Sequence, residues 1–144
     1  MENIMWYYKG AEFTSEMIED YIGFLYVITD RSNDKKYVGK KLLKSTRRLP
    51  PLKGKTRKRK KVVESDWKKY YGSSDEVKMM VEEKGEDNFH REIITLCMTK
   101  GELGYLEAKY QFDHNVLLRD DYYNGIIQCR IHKNHVKGLT FLLE

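Results

Sequence analysis

The sequence predicts an α+β fold, a short, mainly antiparallel three-stranded sheet flanked by helices. Three observations carry this. Two runs of strand-favouring residues flank a turn, two later segments have helical spacing, and a third apolar strand-like run lies between those helices.

Taken in order, residues 1–14 read as an irregular lead-in whose Trp6, Tyr7 and Tyr8 pack on the body. Ser15 is placed to cap a short helix reaching Asp20, with Met17, Ile18 and Tyr21 at near-helical spacing. Phe24 to Thr29 is the first strand, Asp30-Arg31-Ser32-Asn33-Asp34 is turn chemistry, and Lys36 to Gly39 returns as the second strand of a β-hairpin. Residues 44–65 are expected to form an inserted basic loop. Pro50, Pro51 and Gly54 oppose regular helix there, and like charges keep the chain extended until it orders on a phosphate backbone.

Ser74 or Asp75 can cap a helix over Glu76 to Lys84, with Val77, Met80 and Val81 turned inward and Gly85 as the stop. Phe89 to Cys97 is the third strand. Thr99-Lys100-Gly101-Glu102 fits a capping box and opens a helix to about His114, its apolar stripe formed by Leu103, Leu106 and Tyr110. Tyr122 to Gly125 is a turn, and the tail beyond Ile126 is mildly basic and irregular. This divides the 144 residues into an N-terminal extension (1–20), a central domain (21–125) and a C-terminal basic tail (126–144).

Forty per cent apolar content suits a folded core. Cys97 and Cys129 are too few for a disulfide framework, so both are read as reduced thiols of an intracellular protein. No apolar run approaches the roughly 18 residues of a membrane span, and the acidic, aromatic start is no signal peptide. A cytoplasmic location in a bacterial or phage-infected cell is the expectation. The net charge of +5 conceals a strong segregation: Lys35 to Lys69 holds 16 Lys or Arg against two acids, a local +14, while the remainder carries −9. A local field of that size selects a polyanion, and nucleic acid is the general one.

Phe24-Leu25-Tyr26 and, after ten intervening residues, Tyr37-Val38-Gly39 resemble the paired tyrosine strands of the GIY-YIG nuclease superfamily. Phe24 stands where that family has its first Gly, and Leu25 replaces its Ile. Arg47, eight residues beyond Gly39, matches the family's active-site Arg, Glu107 its metal-binding Glu, and Asn124 its closing Asn. Asp66 to Ser74, Asn88-Phe89 and Leu106 to Tyr110 resemble a phage-associated branch similar to homing endonucleases.

The resemblance implies a small GIY-YIG-type domain and a DNA endonuclease that hydrolyses phosphodiester bonds with one divalent metal, Mg²⁺ or Mn²⁺, held by Glu107. It implies that Arg47 clamps the phosphate and that Tyr26 and Tyr37 shape the nucleophile pocket. Which tyrosine handles the water is open, because a free phenol with a pKa near 10 is a poor base without neighbouring cations. Lys36, Lys40 and Lys41 are candidates for that role, Lys41 being preferred. Many relatives carry His or Tyr four residues after the Arg, where this chain has Pro51, and Tyr70 or Tyr71 could stand in.

Expected DNA contacts are Gly39, Lys40, Arg48, Lys55, Arg57, Lys58, Arg59, Lys60, Tyr71 and Asn124. Double-stranded DNA is the expected partner, with no membrane and a monomer or homodimer. Cys129, His132 and His135 lack an obvious fourth zinc ligand and read as part of the basic tail. Two competing functions stand: a catalytically weak nucleic-acid-binding protein on the same scaffold, and an RNA-directed nuclease, since backbone charge alone does not choose the sugar.

Overall fold

The strand β3 (Gly23–Asp30) is the spine of the computed structural model, which describes residues 5–144. Phe24, Tyr26 and Ile28 enter one core cluster and Leu25 and Val27 the other, so the strand is buried on both faces. That burial explains why its sequence is a continuous apolar run rather than an alternating one. Antiparallel neighbours flank it on both edges, β4 (Lys35–Leu42) on one side and β7 (Phe89–Cys97) on the other.

The sheet has five strands, in the order β2-β1-β7-β3-β4, and not the three expected. The additional strands are β1 (Trp6–Tyr8), parallel to β7, and β2 (Ala11–Glu12), which folds back on β1. Both are too short to carry a readable period, which is why residues 5–14 read as a lead-in; residues 1–4 of that stretch lie outside the described residues. Trp6 is what fixes them. Its indole Nε1 donates to Trp67 O at 2.7 Å, and its ring meets Phe24 and Tyr26 edge-on at 4.8 and 5.3 Å.

The expected basic loop is also corrected. Residues 44–65 contain an antiparallel ribbon of β5 (Lys44–Leu49) and β6 (Arg59–Glu64), and Pro50, Pro51 and Gly54 fall in the connection at its tip. Like charges require only extension, which paired strands supply, and Thr46, Val62 and Val63 favour it.

Two helices cover the sheet's faces. In α1 (Asp75–Lys84), Ser74 Oγ accepts from Val77 N at 3.3 Å, Val77 and Val81 are buried, and Gly85 ends the helix at φ +91°. In α2 (Lys100–Asp113), Thr99 Oγ1 accepts from Glu102 N at 3.1 Å, and Leu103 is buried against the other face. The helix expected after Ser15 is one 3-10 turn, Ser15–Met17, and the tail includes 3-10 turns over Lys133–Leu143 that bury Leu139. Among the described residues, no helix is long and apolar enough to cross a membrane.

Asp30 closes the hairpin end of the sheet. Its carboxylate accepts from Ser32, Lys84 Nζ (2.6 Å), Asn88 Nδ2 (2.8 Å) and the Tyr123 hydroxyl (2.8 Å). Burial alone would raise its pKa, but these four donors together hold it well below the ordinary carboxylate range. A depressed folded-state pKa gives stability that is complete above the unfolded value near 3.9 and is lost as pH falls below it. Asp30→Asn should therefore lower stability near neutrality by about 2–4 kcal/mol. In denaturant titrations the gap to the parent should narrow below about pH 4. A gap constant down to pH 2 would contradict this account of the network.

Candidate active site

Tyr26 on β3 faces Gly39 on β4 in register. A Cβ on Gly39 would stand 2.6 Å from Tyr26 Cζ and collide with its hydroxyl, so the tyrosine ring occupies the space that the glycine leaves. On the other side of β3, the pairing with β7 shifts register between Leu25 and Tyr26, a bulge that re-aims the strand at this tyrosine. Tyr26 has no exposed surface, and its hydroxyl closes no well-formed hydrogen bond. Burial, the adjacent Tyr70 and Tyr37, and the Glu107 carboxylate push its pKa well above the ordinary value.

Three other groups complete the arrangement. Tyr37 shares a hydrogen bond with Ser73 Oγ at 3.1 Å, and its ring lies 6.3 Å from that of Tyr26. Its pKa is also raised, chiefly by burial and further by Tyr70 and Glu107, against the opposing Ser73 bond. Tyr70 meets Tyr26 edge-on at 5.9 Å. Glu107 comes from α2 with its side chain 14 % exposed, and Lys40 Nζ approaches it at 3.8 Å. Burial raises the Glu107 pKa and Lys40 works against that. These side chains border a cavity of about 560 Å³ whose wall includes Tyr37, Tyr70, Ser73, Lys40, Glu107 and Gln111.

Tyr70 is held in place by a buried arginine. Arg91 on β7 is 1 % exposed, and its Nη1 donates to Tyr70 O at 2.7 Å and Lys68 O at 3.0 Å. Its guanidinium lies over the rings of Trp6 (4.7 Å) and Tyr71 (4.1 Å). Fixing the backbone there sends Tyr70 to the cavity and Tyr71 into the core, so of the two alternatives only Tyr70 lines it. Asn124 secures the open edge of β4 by the same logic. Its Oδ1 accepts from Val38 N at 2.9 Å, its Nδ2 donates to Val38 O at 2.8 Å, and Gln111 Nε2 reaches the same carbonyl at 3.4 Å.

Tyr26, Tyr37 and Glu107 are therefore brought together. Three other expectations change. Lys41 Nζ pairs with Asp66 at 2.6 Å and lies over the Tyr70 ring at 4.3 Å, and it is Lys40 that approaches Glu107. Alternation along β4 puts these two lysines on opposite faces.

Arg47 does not join the cavity wall; it is exposed on the ribbon, where β5 has carried it beyond the sheet. Tyr71 is packed in the core and is not part of the cavity wall, whereas Asn124 lines the cavity with its amide committed to Val38. Arg48, Lys55, Arg57, Lys58, Arg59 and Lys60 are exposed on the ribbon or its tip. Sequence reasoning missed Ser73, Gln111 and Arg91. Ser73 lay beside a cap residue, but nothing in the pattern marked the other two.

A buried hydroxyl whose hydrogen bond is poorly formed adds little to folding, so Tyr26→Phe should leave the melting temperature unchanged or raise it, by up to about 1 kcal/mol of stability. A clear loss of stability in Tyr26→Phe would mean that the hydroxyl has a structural role instead.

A family model described as "Putative endonuclease segE, GIY-YIG domain" matches residues 6–127, a stretch that includes Tyr26, Tyr37, Tyr70 and Glu107. Searches of curated proteins and of solved structures found no match. The family match covers most of the chain and begins at Trp6, the residue that ties the first strand into the sheet. This chain belongs to the GIY-YIG nuclease family, matching its segE-type endonuclease domain.

Proposed function

We propose that this chain is a metal-dependent DNA endonuclease that hydrolyses a phosphodiester bond in the cavity between Tyr37, Tyr70 and Glu107. The observation that carries this reading is the Tyr26 hydroxyl, buried without a well-formed hydrogen bond beside a shielded carboxylate. Folding leaves such groups unmatched only rarely, and Tyr37 and Tyr70, whose rings pack against Tyr26, line one cavity together with Glu107, an arrangement suited to a ligand.

The donor set suits one hard divalent ion. Glu107 supplies a single carboxylate, and no group of three or more His, Cys, Asp or Glu side chains clusters among the described residues. Mg²⁺ is commonly held by one or two carboxylates, with water and substrate phosphate completing its shell. When bound, the ion would stabilise charge on the phosphate and the leaving oxygen.

The chain's own residues do the rest. Lys40 has a half-exposed side chain at the cavity wall and neutralises a nonbridging phosphate oxygen. Tyr37, anchored by Ser73, and Tyr70, anchored through Arg91, present hydroxyls that orient the attacking water. Their burial and the carboxylate nearby keep Tyr26 and Tyr37 as neutral phenols, hydrogen-bonding groups rather than ready bases. The resemblance to phage homing-type enzymes supports a phage-encoded, homing-like setting in the cytoplasm of an infected bacterium.

The placement of Arg47 outside the cavity favours one second reading, a nucleic-acid-binding protein with weak or no catalysis. Supercoiled plasmid with Mg²⁺ or Mn²⁺ separates the two. The parent chain should nick it, and Glu107→Gln should lose at least roughly a hundredfold in rate with DNA binding retained. Binding by the parent with no nicking in either metal would establish the binder instead.

A further inference from the structure

Among the described residues, the β5–β6 ribbon forms a sheet of its own that pairs with no other strand, and its residues belong to neither core cluster. An isolated two-stranded ribbon is at best marginally stable in water. This one is further strained by its register, which puts Arg47 opposite Lys61 and Arg48 opposite Lys60. Like charges directly across a strand pair repel. Side chains alternate along a strand, so the two cation pairs project from opposite faces of the ribbon. The tip adds Lys53, Lys55, Arg57 and Lys58, all exposed.

The base is built differently. There Lys44 faces Glu64, and the Glu64 carboxylate accepts from Ser15 Oγ (2.9 Å) and Trp67 Nε1 (2.8 Å). Buried Leu43 bonds Ile22 O at 2.7 Å and accepts from Ser65 N at 2.8 Å. The ribbon therefore leaves the body from a fixed root, directly after the strand that carries Lys40.

We infer that this ribbon is an arm that enters the major groove of duplex DNA and presents that duplex to the cavity. The inference rests on the endonuclease reading for its connection to cleavage, and it names the substrate class. Six paired residues at about 3.3 Å each give an arm of roughly 20 Å. The B-form major groove, about 12 Å wide, admits a two-stranded ribbon, and the deep, narrow major groove of A-form RNA does not. Cations on both faces match a groove with a phosphate backbone on each wall. A single strand or a flat polyanion would engage one face only.

The test measures binding of the full chain by fluorescence anisotropy without metal. The ligands are a 30-base-pair DNA duplex, an RNA duplex of the same sequence and single-stranded DNA, each at several salt concentrations. The DNA duplex should bind at least tenfold more tightly than the RNA duplex. The double variant Arg48→Ser, Lys60→Ser should lose about tenfold in DNA affinity. Its log–log salt slope should fall by about two, near 0.9 per phosphate contact. Its melting temperature should be unchanged or higher, because a repulsion has been removed.

Equal affinity for the two duplexes, or unchanged DNA binding in the folded variant, overturns the arm. Binding is read without metal, so an absence of nicking sinks only the endonuclease reading. Nicking by both proteins with equal binding sinks only the arm.

Discussion

Tyr26 and Gly39 face each other across β3 and β4, and the site is organised around that one pairing. A side chain at position 39 would drive the tyrosine ring out, and a smaller residue at position 26 would leave a void beneath the edge strand. With both in place, a phenol hydroxyl is delivered under the edge of the sheet, where water cannot reach it. Period-2 alternation does the remaining sorting. Tyr37, Gly39 and Lys41 share the face of Tyr26, and Val38 and Lys40 share the face covered by α2. Glu107 arrives from that second face, so the cavity straddles the outer edge of β4 and draws on both layers.

An edge strand with such a task must be kept from fraying, and the chain does this from its far end. Residues 121–124 run beside β4, with Lys36 N donating to Asp121 O at 2.9 Å and Tyr123 N donating to Lys36 O at 2.7 Å. Asn124 then uses its side-chain amide as a further rung on Val38. Tyr123 bonds Asp30 in the same region, so the turn that begins the hairpin and the segment that closes the site share one buried carboxylate. On the opposite side, Arg91 joins Trp6, Tyr71 and the backbone of residues 68–70. It couples the added N-terminal strand to the position of Tyr70.

Much of this was legible in the sequence where local physics decides the outcome. The hairpin, β7 and both helices announce themselves through strand-favouring runs, helical spacing and caps at Ser74 and Thr99. Tyr26, Tyr37 and Glu107 were singled out because their order along the chain resembled a known pattern. What was not legible depends on pairing over long distances. Three residues of β1 have no period, and they become a strand through pairing with β7, more than eighty positions away, with Trp6 anchored on Trp67. The exchange of Lys40 for Lys41 follows from which face α2 covers. Arg47 was misplaced because a spacing of eight residues does not tell whether the chain turns toward the cavity or continues into a ribbon. Nothing in the local pattern distinguishes buried Arg91 from an exposed charge, because its partners lie at residues 68–71 and at Trp6.

The central proposal is that Tyr37, Tyr70 and Glu107 border one metal and phosphate site, and a crystal structure of the chain soaked in Mn²⁺ tests it most directly. Anomalous scattering should reveal a single ion on the Glu107 carboxylate at about 2.2 Å, inside the cavity lined by Tyr37 and Tyr70, with Lys40 displaced from its present 3.8 Å approach. An ion bound elsewhere, or a Glu107 that stays paired with Lys40 at saturating Mn²⁺, would contradict the account.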